Sequence, residues 1–159
     1  MEMPIRVSRD FAKMYPDASA SATECAMNLA RTGDLVLSRV AAALQPLDVS
    51  PAGGLVLGIL KDAGRPCQPN YISDRLIVSR ATVTGVLDTL AKRGLVRREP
   101  HPKDRRMVLV HLTKAGARMA NKVRDTVHRG EAEWMRSLNE NERGQLTELL
   151  GRIQKNLAP

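Results

Sequence analysis

Nine basic residues crowd into the 32 positions from Arg75 to Arg106: Arg75, Arg80, Lys92, Arg93, Arg97, Arg98, Lys103, Arg105 and Arg106. Asp88, Glu99 and Asp104 are the acids in that window, so it carries +6 of the chain's formal net charge of +8. A solvated surface intersperses its signs. A concentrated excess of cations is instead the footprint of phosphate binding, because each cation that neutralises a phosphate releases a condensed counterion. The other residue types that could do chemistry are dispersed. His101, His111 and His128 lack the i, i+4 spacing of a metal pair, and no acids cluster beside them. The sequence contains no glycine-rich phosphate loop, nucleophile elbow or convincing acid/base pair. A binding protein is expected, with no catalytic residues, no metal and no cofactor.

The composition fits that reading. The chain has 159 residues, 43% hydrophobic and 26% charged, which is ordinary for a folded chain of one domain, or of two small modules sharing a core. Two cysteines, Cys25 and Cys67, are too few for a disulfide framework and suggest a reducing compartment. No run approaches about 18 apolar residues, and the first ten positions lack the apolar stretch of a signal peptide. A cytoplasmic protein that neither spans nor anchors to a membrane is expected. The sequence pI of about 10.1 points to anionic partners, nucleic acid before a membrane surface. No long amphipathic helix carries the excess charge, which weakens the membrane case.

The elements that must position the basic window follow from periodicity and punctuation. Residues 1–20 read as a loosely ordered arm in which Phe11, Met14 and Tyr15 could pack. Ser21 with Glu24 forms a capping-box pattern opening a helix to about Gln45, where Pro46 stops it. Ser50-Pro51 caps a second helix with Leu55, Val56, Ile59 and Leu60 as its buried stripe and Gly64 as its stop. A proline-rich turn then leads to a short helix, Asn70 to Leu76. Ser79 caps a fourth, which buries Val83, Val86, Leu87 and Leu90 and ends at Gly94.

The period then changes to that of strands: Leu95 to Arg98 and Met107 to Leu112 flank a polar loop, Glu99 to Arg106. Thr113 caps a long fifth helix with Ala120, Val123, Val127, Trp134 and Leu138 along one stripe. Asn139 with Glu142 repeats the capping box and opens the last helix. A short helix, a tight turn, an amphipathic helix and a basic hairpin make a winged helix-turn-helix.

Residues 79–116 hold Ser79-Arg80-Ala81-Thr82-Val83-Thr84, Leu90-Ala91-Lys92-Arg93-Gly94-Leu95-Val96, Asp104-Arg105-Arg106 and Leu112-Thr113-Lys114-Ala115-Gly116 in that order. In these motifs the chain resembles the MarR family of bacterial transcriptional regulators. Helix order and length extend it over about residues 20–157. Ile77 departs from the family's small residue at the end of the short helix, and Gly85 stands where a larger polar or basic side chain is common.

The resemblance implies a mainly α fold with a small β-hairpin wing, in which a winged helix-turn-helix joins a helical dimerisation module. The boundaries read as an N-terminal arm at 1–20, a dimerisation module at 21–48 with 113–159, and the DNA-binding module at 49–112.

In such a fold the N-terminal turn of the recognition helix faces base edges, which makes Ser79, Arg80, Thr82 and Thr84 the major-groove candidates. Arg75, Arg93, Arg97 and Arg98 are candidates for the backbone, with Lys103 and Arg105 on phosphates beside the wing tip. Arg106 is implied in the minor groove, braced by Asp104. Trp134, Leu146, Leu149, Leu150, Ile153 and Leu157 are the expected dimer core. A homodimer implies a double-stranded, pseudo-palindromic operator with half-sites roughly 10 bp apart. The expected function is repression relieved by a small phenolic or lipophilic effector. Two alternatives share the fold: a thiol-based oxidant sensor acting through Cys25, and a protein- or RNA-binding adaptor. Cys25 reads first as a small buried hydrophobe.

Overall fold

Short polar side chains set helix ends wherever the backbone runs out of its own partners. The computed structural model of the chain describes residues 4–76, 80–102 and 107–157. Its helices are α1 (Phe11–Met14), α2 (Ala20–Leu44), α3 (Pro51–Ala63), α4 (Pro69–Leu76), α5 (Arg80–Lys92), α6 (Lys114–Trp134) and α7 (Glu140–Leu157). The strands are β1 (Val96–Pro100) and β2 (Val108–Leu112), and a 3-10 turn at Gln45–Leu47 follows α2. The chain divides into two compact units, Met1–Ala42 and Ala43–Pro159. No single helix among the described residues is long and apolar enough to cross a membrane.

In the first unit the expected loose arm is tied down. Asn28 Oδ1 accepts from Ile5 N at 2.8 Å, and its Nδ2 donates to the Ile5 carbonyl at 2.9 Å. Glu24 accepts from Val7 N at 3.0 Å and pairs with Arg6 at 2.7 Å. Arg6 and the Val7 amide hold the Glu24 carboxyl below its ordinary range. The expected capping box at Ser21 and Glu24 is therefore not formed. Glu24 has a partner elsewhere, and Ser19 Oγ accepts from Ala22 N at 3.3 Å instead. Cys25, expected to be buried, is exposed on α2.

The second unit holds the larger core. Ser50 Oγ accepts from Gly53 N at 3.1 Å with Pro51 beside it, and α3 ends on Gly64 at φ +61°. The face of α3 that turns inward is Gly53, Gly54, Val56, Leu57 and Leu60. Leu55, expected in that stripe, is 59% exposed. Two glycines on the inner face shift the apolar signal by one residue, because they let Leu44, Val49 and Val123 approach the backbone.

Val56, Leu57, Leu60, Ile72, Val83, Leu87, Leu90 and Val110 are each no more than 2% exposed. Burying a side chain of this kind contributes about 1.5–3 kcal/mol. Strands β1 and β2 pair antiparallel, Val96 opposite Leu112 and Arg98 opposite Val110. Cys67 adds an isolated bridge to Val110, with N–H···O distances of 3.0 and 2.8 Å, which ties the segment before α4 to the outer edge of β2.

Thr113 Oγ1 caps α6 at Gly116 N, 2.9 Å away, and donates to the Gly94 carbonyl at 2.8 Å. Gly116 lies so close to the Leu95 carbonyl that a Cβ there would collide with it. Arg124 on α6 pairs with Asp62 on α3. At the start of α7 the expected capping box is complete: Asn139 N donates to Glu142 Oε2 at 2.8 Å, and Glu142 N to Asn139 Oδ1 at 3.0 Å.

Candidate nucleic-acid interface

Helices α4 and α5 form the helix-turn-helix, and α5 is amphipathic. Val83, Leu87 and Leu90 fix its inner face in the core, which turns Ala81, Thr82, Thr84 and Gly85 outward. A Cβ on Gly85 would meet nothing within 4 Å, so the glycine leaves the outer face open rather than admitting a neighbour. Thr82 and Gly85 border a groove of about 390 Å³ between α5 and the N-terminal end of α3, with Ser50, Gly53 and Asp48 on its other side. Arg80 opens α5. Ser79, Lys103, Asp104, Arg105, Arg106 and Ile77 lie outside the described residues.

Several cations of the basic window already have partners inside the fold. Arg93, expected on the DNA backbone, instead binds the carbonyls of Asp48 and Leu47, with its Nε 3.5 Å from the Asp48 carboxylate. These contacts tie Arg93 to a turn in which Asp48 adopts the left-handed conformation at φ 52°. Arg97 pairs with Glu99 and lies 3.4 Å from His111 Nδ1. Arg98 reaches Asp88 Oδ1 at 2.6 Å and the Thr84 carbonyl at 3.2 Å. Arg75 stacks on the Tyr71 ring, 4.0 Å from its centroid, and Arg65 lies 5.2 Å from the same ring. Lys92 is exposed at the end of α5.

Two of the three acids in the window, Asp88 and Glu99, thus neutralise arginines beside them. Tyr71 and Asp88, which hold Arg75 and Arg98, were not among the site residues expected from the sequence. For Tyr71 the i, i+4 spacing to Arg75 was a readable signal.

Cys67 is 1% exposed, and burial pushes its thiol above the ordinary range. Glu99 Oε2 lies 2.9 Å from His111 Nε2, yet burial, and then Arg97, hold the imidazole below its ordinary pKa. Among the described residues no group of three His, Cys, Asp or Glu is gathered as metal ligands would be.

The expected dimer residues form no interior of their own in one chain. No residue of α7 is buried; Leu146, Leu149, Ile153 and Leu157 are exposed, and Leu150 is half-buried. Trp134 lies against Gly130, one turn earlier in α6. Leu138 falls beyond α6, in the turn before α7.

A short helix followed by an open-faced helix, and then by a strand pair that shares their core, defines a winged helix-turn-helix protein. A model of the MarR family matches residues 47–107. The reduced form of MarR from E. coli is 30% identical, with a TM-score of 0.64 over 79% of this chain and 95% of that one. The chain belongs to the MarR family, whose members are transcriptional regulators.

The regulator PecS of Dickeya dadantii is 34% identical over 104 residues, 64% of this chain. That match spans 63% of PecS, less than two thirds of its length. BpsR of Bordetella bronchiseptica, described as regulated in DNA binding by 6-hydroxynicotinic acid, is 26% identical with a TM-score of 0.73 over 79% of this chain and 89% of that one.

Proposed function

We propose that the chain is a homodimeric, sequence-specific DNA-binding repressor. The observation that carries this reading is the outer face of α5, where Thr82, Thr84 and Gly85 stand exposed beside a wing that continues into the basic residues 103–106. Thr82 and Thr84, with Ser79 and Arg80 at the helix start, would read base edges in the major groove. Arg106 would enter the minor groove with Asp104 bracing it, while Lys103 and Arg105 neutralise phosphates.

One module of this size reads few base pairs, so two copies are needed. The exposed apolar residues of α7 offer a face for a second copy. Residues 49–112 would serve as the DNA-binding module, and 21–48 with 113–159 as the dimerisation module. A two-fold dimer matches a pseudo-palindromic operator in the cytoplasm. The relative BpsR, whose DNA binding is described as regulated by 6-hydroxynicotinic acid, supports release by a small phenolic or lipophilic effector. Such a ligand acts by favouring a spacing of recognition helices that no longer fits the operator.

A gel-shift series with the duplex upstream of the chain's own gene tests the reading. Arg106→Ala and Arg80→Ala are each expected to weaken binding by about 1–3 kcal/mol, or roughly five- to 150-fold. Wild-type affinity in both variants would remove these residues from the interface.

A further inference from the structure

Strand β1 reaches the recognition helix through Arg98. One guanidinium nitrogen lies 2.6 Å from Asp88 Oδ1, and another donates to the Thr84 carbonyl at 3.2 Å. Positions 84 and 88 are one helical turn apart on the same side of α5, so a planar fork satisfies both acceptors at once, which a single ammonium does less well. The other end of the lever is fixed. Arg98 stands opposite Val110 in the strand register, and Val110 is fully buried and bridged on its far side to Cys67. The fork therefore joins the two-stranded sheet, bridged at Cys67, to the middle of α5. A partly exposed ion pair adds little to global stability, so the consequence of this one is geometric.

We propose that Arg98 is a positioning residue: the Arg98–Asp88 fork sets the wing against the recognition helix, so that both engage one duplex in a fixed register. This inference rests on the DNA-binding reading above. It reassigns Arg98, which charge alone places on the DNA backbone. The two roles differ in sign for Asp88. If Arg98 served a phosphate, removing the nearby carboxylate would free the guanidinium and tighten binding. If Arg98 braces the wing, removing the carboxylate loosens the wing and weakens binding.

The test compares wild type, Arg98→Gln, Asp88→Asn and the double variant. Each is titrated at several salt concentrations against a duplex that the wild type selects from a randomised pool. Each single variant is expected to lose roughly three- to tenfold in affinity, and the double variant no more than either alone. The slope of log affinity against log salt should stay at the wild-type value.

Wild-type or tighter binding by Asp88→Asn overturns the proposal. So does a slope shallower by about 1 in Arg98→Gln, the mark of a lost phosphate contact. Arg98→Lys keeps the charge without the fork and should behave as Arg98→Gln does. If it binds as wild type, the fork is not required. Hydrogen exchange in the free protein supplies a readout that needs no DNA: the β1 and β2 amides should exchange faster in all three single variants, and unchanged protection contradicts the brace. A wild type that selects no duplex defeats the DNA-binding reading, and the exchange result then still decides the brace.

Discussion

A guanidinium against a carboxylate is a different object from one facing water, and in the basic window Arg97 and Arg98 are of the first kind. The sequence displays the window's net charge but hides its pairing. Arg93 meets the Asp48 carbonyl 45 positions away, and Arg98 meets the Thr84 carbonyl 14 positions away. No local pattern announces such partners, whereas Arg75 on Tyr71 lies within one helical turn and could have been read.

His111 allows a check at this scale. Burial and Arg97 lower its pKa, so the folded state binds the proton less readily than the unfolded chain. Its contribution to stability is complete above the ordinary imidazole value and declines as pH falls through about 6.5 towards the lower folded value. Urea melts from about pH 8 to about pH 5 should show wild type losing stability relative to His111→Gln as pH falls. A difference that stays constant or moves the other way contradicts the burial assigned to His111.

Elements were legible where their ends are built from neighbours in sequence. Ser50-Pro51, Gly64, Thr113 and the Asn139–Glu142 box all act as local chemistry predicts. The start of α2 was misread because Glu24 has a partner 17 positions away at the Val7 amide. Leu55 was misplaced because glycines on the inner face of α3 carry no hydropathy to mark that face.

The docking of α6 depends on Gly116, whose missing side chain lets the helix start against the Leu95 carbonyl. Gly116→Ala should destabilise the protein by about 1–3 kcal/mol through overpacking, although alanine raises helix propensity. Denaturant unfolding checks this, and an unchanged or raised midpoint would show that the approach is not tight.

At the scale of the whole molecule, the winged helix was readable from element order and from the change of period at Leu95, and family membership follows from the same residues. The proposed pairing of two copies was readable in the sequence only as apolar stripes such as Leu146, Leu149, Ile153 and Leu157, which stand exposed in one chain. The proposed homodimer would present two basic windows. With Arg93, Arg97 and Arg98 paired within the fold, the bare count of nine cations in the window overstates how many carry uncompensated charge.

The most direct measurement is the equilibrium affinity of the full chain for its selected duplex and for a scrambled one, followed across salt concentration. Affinity should fall linearly on log axes for both, with the selected duplex held at least about a thousandfold more tightly. Salt-independent binding, or equal affinity for the scrambled duplex, would contradict a sequence-specific DNA-binding role.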